Sequence, residues 1–475
     1  MKKHLSFALF LRRGCVPGMV LLMAATNFLS AQTRTLRVVT YNIEDDINGA
    51  TSPLPGLIAP PANPTNVQAG GVLEGIGEET VGGDPAQPID ILTLEETTSN
   101  PQTIAPIVSG LNAFYGIAGM YSNSSYQAVE EEDYVADGNG PNAIVFNTQT
   151  LQLLASVPVN PVGGTNALGA SSGEYREVMR YEFAPAGVAV TASNVFYVYV
   201  SHYKSGTSGT DLTDRYGEAL IIRTNEARDL PANARVLYTG DYNVTTSGEA
   251  SYQTILSNTA PTGVAQGGGI DPFNPNNNRN IDWGTSTTAA NILAMETESA
   301  TDLRYRDDFE IMTTNIYYGA PGGLQYVPGT YHTFGNNGTT TYQGSVNSGS
   351  DTALNYSLVT DAPVFISAAQ LYLDLTDASD HLPLVADYTI PVPTPAVLAP
   401  IFSSITLAGN NLVLTVNNAT TNATCTLLMC TNLPSPLSAW TAVATNTASS
   451  GSFSFVLTNA AAPLAPQTFF ILQEN

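Results

Sequence analysis

Residues 237–246 read LYTGDYNVTT: a short apolar run closes on Gly-Asp-Tyr-Asn and then gives way to small polar residues. Side chains alternate along a strand, so Asp241 and Asn243 share one side and Tyr242 takes the other. Gly240 lets the backbone bend or approach closely just before them. An Asp and an Asn at a strand end are commonly turn formers. Their meaning therefore depends on what the other apolar runs end in.

Those runs end alike. VVTYNIED (38–45) closes on Asn42 and, two along, Glu44; IDILTLEET (89–97) closes on Glu95 and Glu96; YVYVSHYKS (197–205) closes on His202. In RYRDDFEIMT (304–313) Asp308 stands just inside a strand, and DASDHLPLVADY (377–388) sets Asp380 and His381 directly before the last one. The chain has four His, and two of the three beyond residue 31 sit at these tips. One such His would be unremarkable; the set is what carries weight.

Order along the chain adds the architecture. β-rich runs recur from residue 35 to residue 390 between loops and a few helical stretches. Apolar spacing predicts helices over 70–81 and 211–230, each followed by a strand, and strand–helix–strand order implies α/β layering. Residues 320–360, rich in Gly, Asn, Ser and Thr, read as a long insertion or loop. PVPTPAVLAP (391–400) reads as a Pro-rich linker. Residues 401–475 alternate apolar and small polar residues between Asn/Gly turns and read as a small all-β domain without His, most simply a stabilising or sorting module.

The start of the chain is basic and then apolar. Lys2, Lys3, Arg12 and Arg13 occur with no acid before residue 32, and the apolar stretch that follows is shorter than the ~20 residues a membrane span needs. With Ala31 as a small residue for cleavage, 1–31 reads as a secretory signal peptide, implying a secreted or periplasmic protein. Net charge is −24, and −28 without the leader. Only Cys425 and Cys430 lie beyond it, so neither a disulfide framework nor a Cys-rich zinc site is available, and any metal must be held by oxygen and nitrogen. There is no dinucleotide fingerprint or P-loop, hence no sign of an organic cofactor.

Taken together, YNI, LEE, SHY, GDYN, RDDF and SDH, in that order over residues 41–381, resemble the endonuclease/exonuclease/phosphatase superfamily. The resemblance implies a DNase I-like four-layered α/β sandwich over 32–390 and a metal-dependent phosphoesterase site at the strand ends. It implies Glu96 as principal ligand of Mg²⁺ (or Mn²⁺ or Ca²⁺), with Asn42 and Asp380 close by and Glu44 helping with a second ion. Asp241 would orient or deprotonate the attacking water, and Asn243 would bind the phosphate or the nucleophile. His381 would face the scissile phosphate with Asp308 fixing its tautomer, and His202 would be a second phosphate-facing histidine and general acid. Asp282, in NRNIDWG, competes with Asp308. Arg176, with Arg180 as runner-up, stands where the superfamily places a phosphate clamp. The acidic partner of the second His is not identified; VEEEDY (129–134) is the stretch considered. Glu95 replaces the usual Gln.

Phosphoester chemistry gathers negative charge on phosphorus, which divalent cations and hydrogen-bond donors offset. The substrate stays open at this point: nucleic acid or another diester first, with a phosphomonoesterase, a lipid phosphodiesterase or a silent binding protein as alternatives. With 12 Lys plus Arg beyond the leader, no basic stripe exists to release counterions along a duplex.

Overall fold

The computed structural model describes residues 4–12, 32–44, 56–58, 71–124, 140–160, 168, 175–258, 267–284, 289–355, 366–392, 400–432, 436–459 and 467–474. The chain divides into two compact units, Thr33–Val392 and Met1–Gln32 together with Pro393–Asn475. In chain order the first strands are β1 (His4–Arg12), β2 (Gln32–Asn42), β3 (Ile91–Glu95), β4 (Tyr121–Asn123), β5 (Ala143–Asn147), β6 (Leu151–Pro158) and β7 (Val178–Pro185). There follow β8 (Phe196–Ser201), β9 (Val236–Asp241), β10 (Gly269–Ile270), β11 (Asp308–Thr313), β12 (Gln325–Tyr326), β13 (His332–Thr333) and β14 (Leu384–Val392).

The larger unit holds two sheets. One has the order β12-β14-β2-β3-β5-β4 with β13 also on β14, and the other β10-β11-β9-β8-β7-β6. Two neighbouring pairs are parallel, β2 with β3 and β8 with β9. Parallel neighbours need a crossover, and helices supply it. Val72–Gly77 lies between β2 and β3, and Gly209–Asp229 between β8 and β9. The second helix starts at a capping box in which Ser208 and Asp211 satisfy each other's backbone N–H groups.

Alternation sorts the strand residues into layers. Val39, Tyr41, Leu92 and Leu94 pack outward onto a core shared with Leu73, Leu371 and Leu375 of the flanking helices. Leu36, Val38, Ile91, Val198, Val200, Leu237 and Met312 fill the space between the sheets. Val236, Tyr238, Phe309 and Ile311 face the third core, against Ala219 and Ile222 of the long helix. Helix, sheet, sheet, helix is a four-layered sandwich, the fold class the sequence implied.

Two expectations are adjusted. The helix expected over 70–81 is only Val72–Gly77, capped at Glu78; beyond it Gly82 and Gly83, both at positive φ, form a turn that bridges Val81 to Asp84. Residues 320–355, expected as a long insertion or loop, are largely irregular but carry β12 and β13, which pair with β14, and Phe334, Val346 and Leu354 are buried in the first core. Each strand there is two residues long, too short for a period to show.

The smaller unit is all-β. Ile401–Ala408, Asn411–Asn417 and Ser452–Leu457 form one sheet. In the other, β1 runs antiparallel to Gln467–Glu474, which is followed by Thr424–Cys430 and Thr441–Thr447. Leu414, Val416, Cys425, Phe455 and Leu472 make its core. The strand β14 continues to Val392, two residues into the expected linker, and 393–399 lie outside the described residues. Among the described residues no helix is long and apolar enough to cross a membrane.

Candidate functional site

The layer assignment decides where the polar strand ends point. On β2, Asn42 follows Val38 and Thr40 on the inner face; on β9, Asp241 follows Leu237 and Thr239; on β11, Asp308 precedes Glu310 and Met312; and His202 follows Val198 and Val200 of β8. Neighbouring register then brings them level, with Asp308 opposite Asp241. Gly240 explains itself: its φ is +132°, and a Cβ there would lie 1.8 Å from the Ser201 carbonyl oxygen. Glu44, Glu96 and Asn243 sit at φ of 51°, 55° and 49°. Non-glycine residues hold this conformation at a cost of roughly 1–3 kcal/mol each, and they cluster at functional sites.

Asp241 Oδ2 is the hub. It accepts from Asn42 Nδ2 at 3.2 Å and lies 3.4 Å from His202 Nε2 and 3.9 Å from His381 Nε2. Asn42 Nδ2 also donates to Glu96 Oε1 at 2.9 Å, and that oxygen is 3.7 Å from His202 Nε2. Asp241 Oδ1 accepts the Asn243 N–H at 2.9 Å, and Asn243 Nδ2 bonds the Tyr203 carbonyl. His381 Nδ1 is 2.8 Å from Asp308 Oδ2. Ser379 ties the loop down: its hydroxyl donates to the Asn42 carbonyl and accepts the His381 N–H. Glu44 Oε2 accepts the Asp380 N–H, and Asp380 Oδ1 is 3.7 Å from His381 Nε2.

Electrostatics follow from burial and crowding. Burial pushes the Asp241 carboxyl up to about 7, with Asp308 adding to the shift and His381 opposing it. Burial also works against a charged His381 ring, but Asp308, Asp380 and Asp241 outweigh it and hold its pKa well above the ordinary value. Glu95 points between the sheets, fully buried, with neither carboxylate oxygen hydrogen-bonded. Burial, then Asp308 and Asp241, drive its pKa well upward.

Six ordered motifs on strands of both sheets thus meet at one end of a four-layered sandwich, with the Asp–His pair in contact. This is the arrangement that the resemblance to the endonuclease/exonuclease/phosphatase superfamily implies. No family model matches the chain, and no curated protein matches it either. Among solved structures it is similar to the catalytic domain of human Nocturnin with bound sulfate anion, at 15% identity over 75% of this chain and 97% of that one, TM-score 0.39. It is similar to D. rerio TDP2 complexed with single strand DNA product, at 12% identity over 74% of this chain and 98% of that one, TM-score 0.39. A third is an endonuclease/exonuclease/phosphatase family protein from Bacteroides thetaiotaomicron, at 13% identity over 76% of this chain and 98% of that one, TM-score 0.35.

Of the residues the superfamily pattern singled out, Asn42, Glu96, His202, Asp241, Asn243, Asp308 and His381 are brought together, with Glu44 and Asp380 beside them. Asp308, not Asp282, partners His381: Asp282 is exposed, and its carboxylate caps the Gly284 N–H. Arg176 is buried and donates to the Tyr203 carbonyl that Asn243 also bonds, so it reaches the His202 loop through the backbone. Arg180 is turned to the long helix, bonding Asn225 and lying 3.6 Å from Asp229. VEEEDY lies outside the described residues.

Sequence reasoning did not single out Ser379, Glu298 or Asp307. Ser379 was within reach, as the first letter of SDH. Glu298 lies on a segment that no motif marks. Its backbone bridges that of His381, and its carboxylate belongs to an acid–imidazole group with Asp380 and His381 whose ligand atoms lie within 4.8 Å of one another. Glu96, His202 and Asp241 form the other such group.

Proposed function

We propose that the larger unit is a phosphoester hydrolase, and more specifically a secreted, divalent-metal-dependent phosphodiesterase of nuclease-like type. The observation that carries this reading is the convergence of Glu96, Asn42, His202 and Asp241 around one carboxylate oxygen, beside an imidazole oriented by Asp308.

The donor set fits a hard cation: carboxylates of Glu96, Asp241, Asp380 and Glu44, an amide at Asn42, and one imidazole, with no thiolate. Asp380 Oδ1 is buried without a hydrogen-bond partner, as an oxygen awaiting a cation would be. Glu96 with Asn42, Asp380 and Glu44 would hold the ion, and when bound it supplies positive charge against the phosphate oxygens. The chain's own residues do the rest. Asp241, with a pKa near neutrality, takes the proton of the attacking water as the new P–O bond forms. Asn243, whose Nδ2 is committed to Tyr203, positions that water through Oδ1. His381, charged and fixed by Asp308, faces the developing charge on the phosphate oxygens. His202 Nε2 gives a proton to the leaving oxygen as its bond to phosphorus breaks.

Export rests on the basic-then-apolar leader, and the acidity of the chain implies weak, cation-dependent binding to long nucleic acids. The test is hydrolysis of bis-p-nitrophenyl phosphate, p-nitrophenyl phosphate and plasmid DNA with Mg²⁺, Mn²⁺ or Ca²⁺, and with EDTA. Cleavage of diester and DNA that EDTA abolishes is expected. Cleavage of the monoester alone would move the protein to the phosphatase branch, and silence on all three would count against an enzyme of this class.

A further inference from the structure

The site is unusual in how much negative charge surrounds one imidazole. His381 has Asp308 at 2.8 Å on Nδ1, with Asp380 at 3.7 Å and Asp241 at 3.9 Å from Nε2. Glu298 adds a fourth carboxylate, whose oxygen lies within 4.8 Å of a His381 ring nitrogen and of an Asp380 carboxylate oxygen. The first three have work to do in the reaction just described. Glu298 has none, yet the fold holds it with care.

The segment that carries it is pinned on both sides. The Leu382 N–H donates to the Thr297 carbonyl at 2.8 Å and the Ala300 N–H to the Asp380 carbonyl at 2.6 Å, so residues 297–300 run along the SDH loop. The Arg304 and Tyr305 N–H groups both donate to the Glu298 carbonyl at 2.7 Å, closing the segment on itself. Thr297 Oγ1 accepts from the Asp307 and Asp308 N–H groups, which locks the segment to the start of β11. Glu298 is half-buried, at the rim. Arg304, on the same segment, is paired with Asp302 and also acts on the Glu298 carboxylate.

We propose that Glu298 is a specificity-determining residue that favours phosphodiesters over phosphomonoesters, by setting a fixed negative charge beside the phosphate position. This rests on the phosphoester-hydrolase reading above. A diester carries one negative charge at neutral pH, whereas a phosphomonoester, with a second pKa near 6, carries nearly two. The Glu298 carboxylate lies within 4.8 Å of a His381 ring nitrogen, so a phosphate bonded to that ring meets its charge at close range. At about 5 Å one additional like charge is disfavoured about fourfold at the dielectric of water and over a hundredfold at an effective dielectric of 20, so at a solvated rim a factor on the order of ten is expected. Selection acts on charge alone, so it is blind to base, sugar or alcohol.

The test compares Glu298→Gln with the unmutated protein, measuring kcat/KM on bis-p-nitrophenyl phosphate and p-nitrophenyl phosphate under one Mg²⁺ concentration. The Glu298 carboxylate shares a hydrogen bond with the Asp307 side chain; Gln keeps the shape and the ability to make that bond, and thermal melting checks that the fold is intact. The expected result is a rise of about tenfold in the monoester-to-diester ratio, with the diester rate within threefold of its starting value. Inhibition by inorganic phosphate should strengthen about tenfold while inhibition by dimethyl phosphate stays put. An unchanged ratio in an active, folded variant would overturn the proposal. So would an equal loss on both substrates together with one fewer Mn²⁺ bound in titration, which would make Glu298 a cation ligand. An unmutated protein inactive on both substrates would instead overturn the functional reading, and this proposal with it.

Discussion

Asp308→Asn isolates the contribution of one buried charge. The residue is wholly buried, its Oδ2 is 2.8 Å from His381 Nδ1, and its Oδ1 has no hydrogen-bond partner. Asn keeps the size and one polar contact but removes the charge. Two unit charges ~4 Å apart interact by about 4 kcal/mol at an effective dielectric of 20. The other acids around His381 remain, so roughly half of that, about 2 kcal/mol, should appear as a lower His381 pKa, a fall of about 1.5 units. If the charged ring stabilises the developing phosphate charge, kcat/KM for a diester should fall about thirtyfold, since each 1.36 kcal/mol is tenfold. Both quantities are measurable. The four His of the chain give resolvable imidazole C–H resonances, with His332, far along the chain and paired with Glu79, as an internal reference. Native-like kcat/KM with an unmoved His381 titration would refute the argument. A slower enzyme whose His381 titration does not move would show that Asp308 acts by position alone.

Other consequences are simpler to state. Gly240→Ala must adopt φ of +132° and push a methyl group against the Ser201 carbonyl, so urea unfolding should show a loss of about 3 kcal/mol or more; a loss under 1 kcal/mol would mean the strand shifts freely. Glu296 is buried with both carboxylate oxygens unbonded, and burial lifts its pKa to about 8. The folded state then holds a proton that the unfolded state has released, so stability falls as pH rises from about 4.5 to about 8 and is level beyond. Glu296→Gln should flatten that part of the profile, and an unchanged slope would contradict the assignment. Ser379→Ala removes the hydroxyl that joins the Asn42 carbonyl to the His381 N–H, and should cost about tenfold in diester kcat/KM with little change in melting temperature.

What was legible in the sequence was whatever alternation governs. Asp241 and Asn42 end strands whose earlier residues name the inner face, so their direction could be read before any coordinates. For the partner of His381, NRNIDWG offered Asp282 as a rival; Asp308 was the preferred reading because its stretch leads into a strand, and the register of β11 against β9 sets it opposite Asp241 and beside His381. Glu96 was identified against simple alternation. A strand continuing past Glu95 would turn Glu96 outward; the left-handed backbone at Glu96 lets it reach Asn42, and no residue type announces that conformation in a glutamate. The two short strands inside the expected insertion or loop were not legible, because β12 and β13 borrow their order from β14 rather than from their own sequence. Glu298 was invisible for the same reason: a pairing of its backbone with that of His381 brings it to the site.

The central claim is that the strand ends gathered around Asp241 cleave phosphoesters. Its most direct test is kcat/KM on bis-p-nitrophenyl phosphate with Mg²⁺ for the unmutated protein, Asp241→Ala and His381→Ala, each checked for an intact circular dichroism melt. The account predicts an active parent and losses of at least a thousandfold in both folded variants. Either variant retaining activity within tenfold of the parent would contradict it.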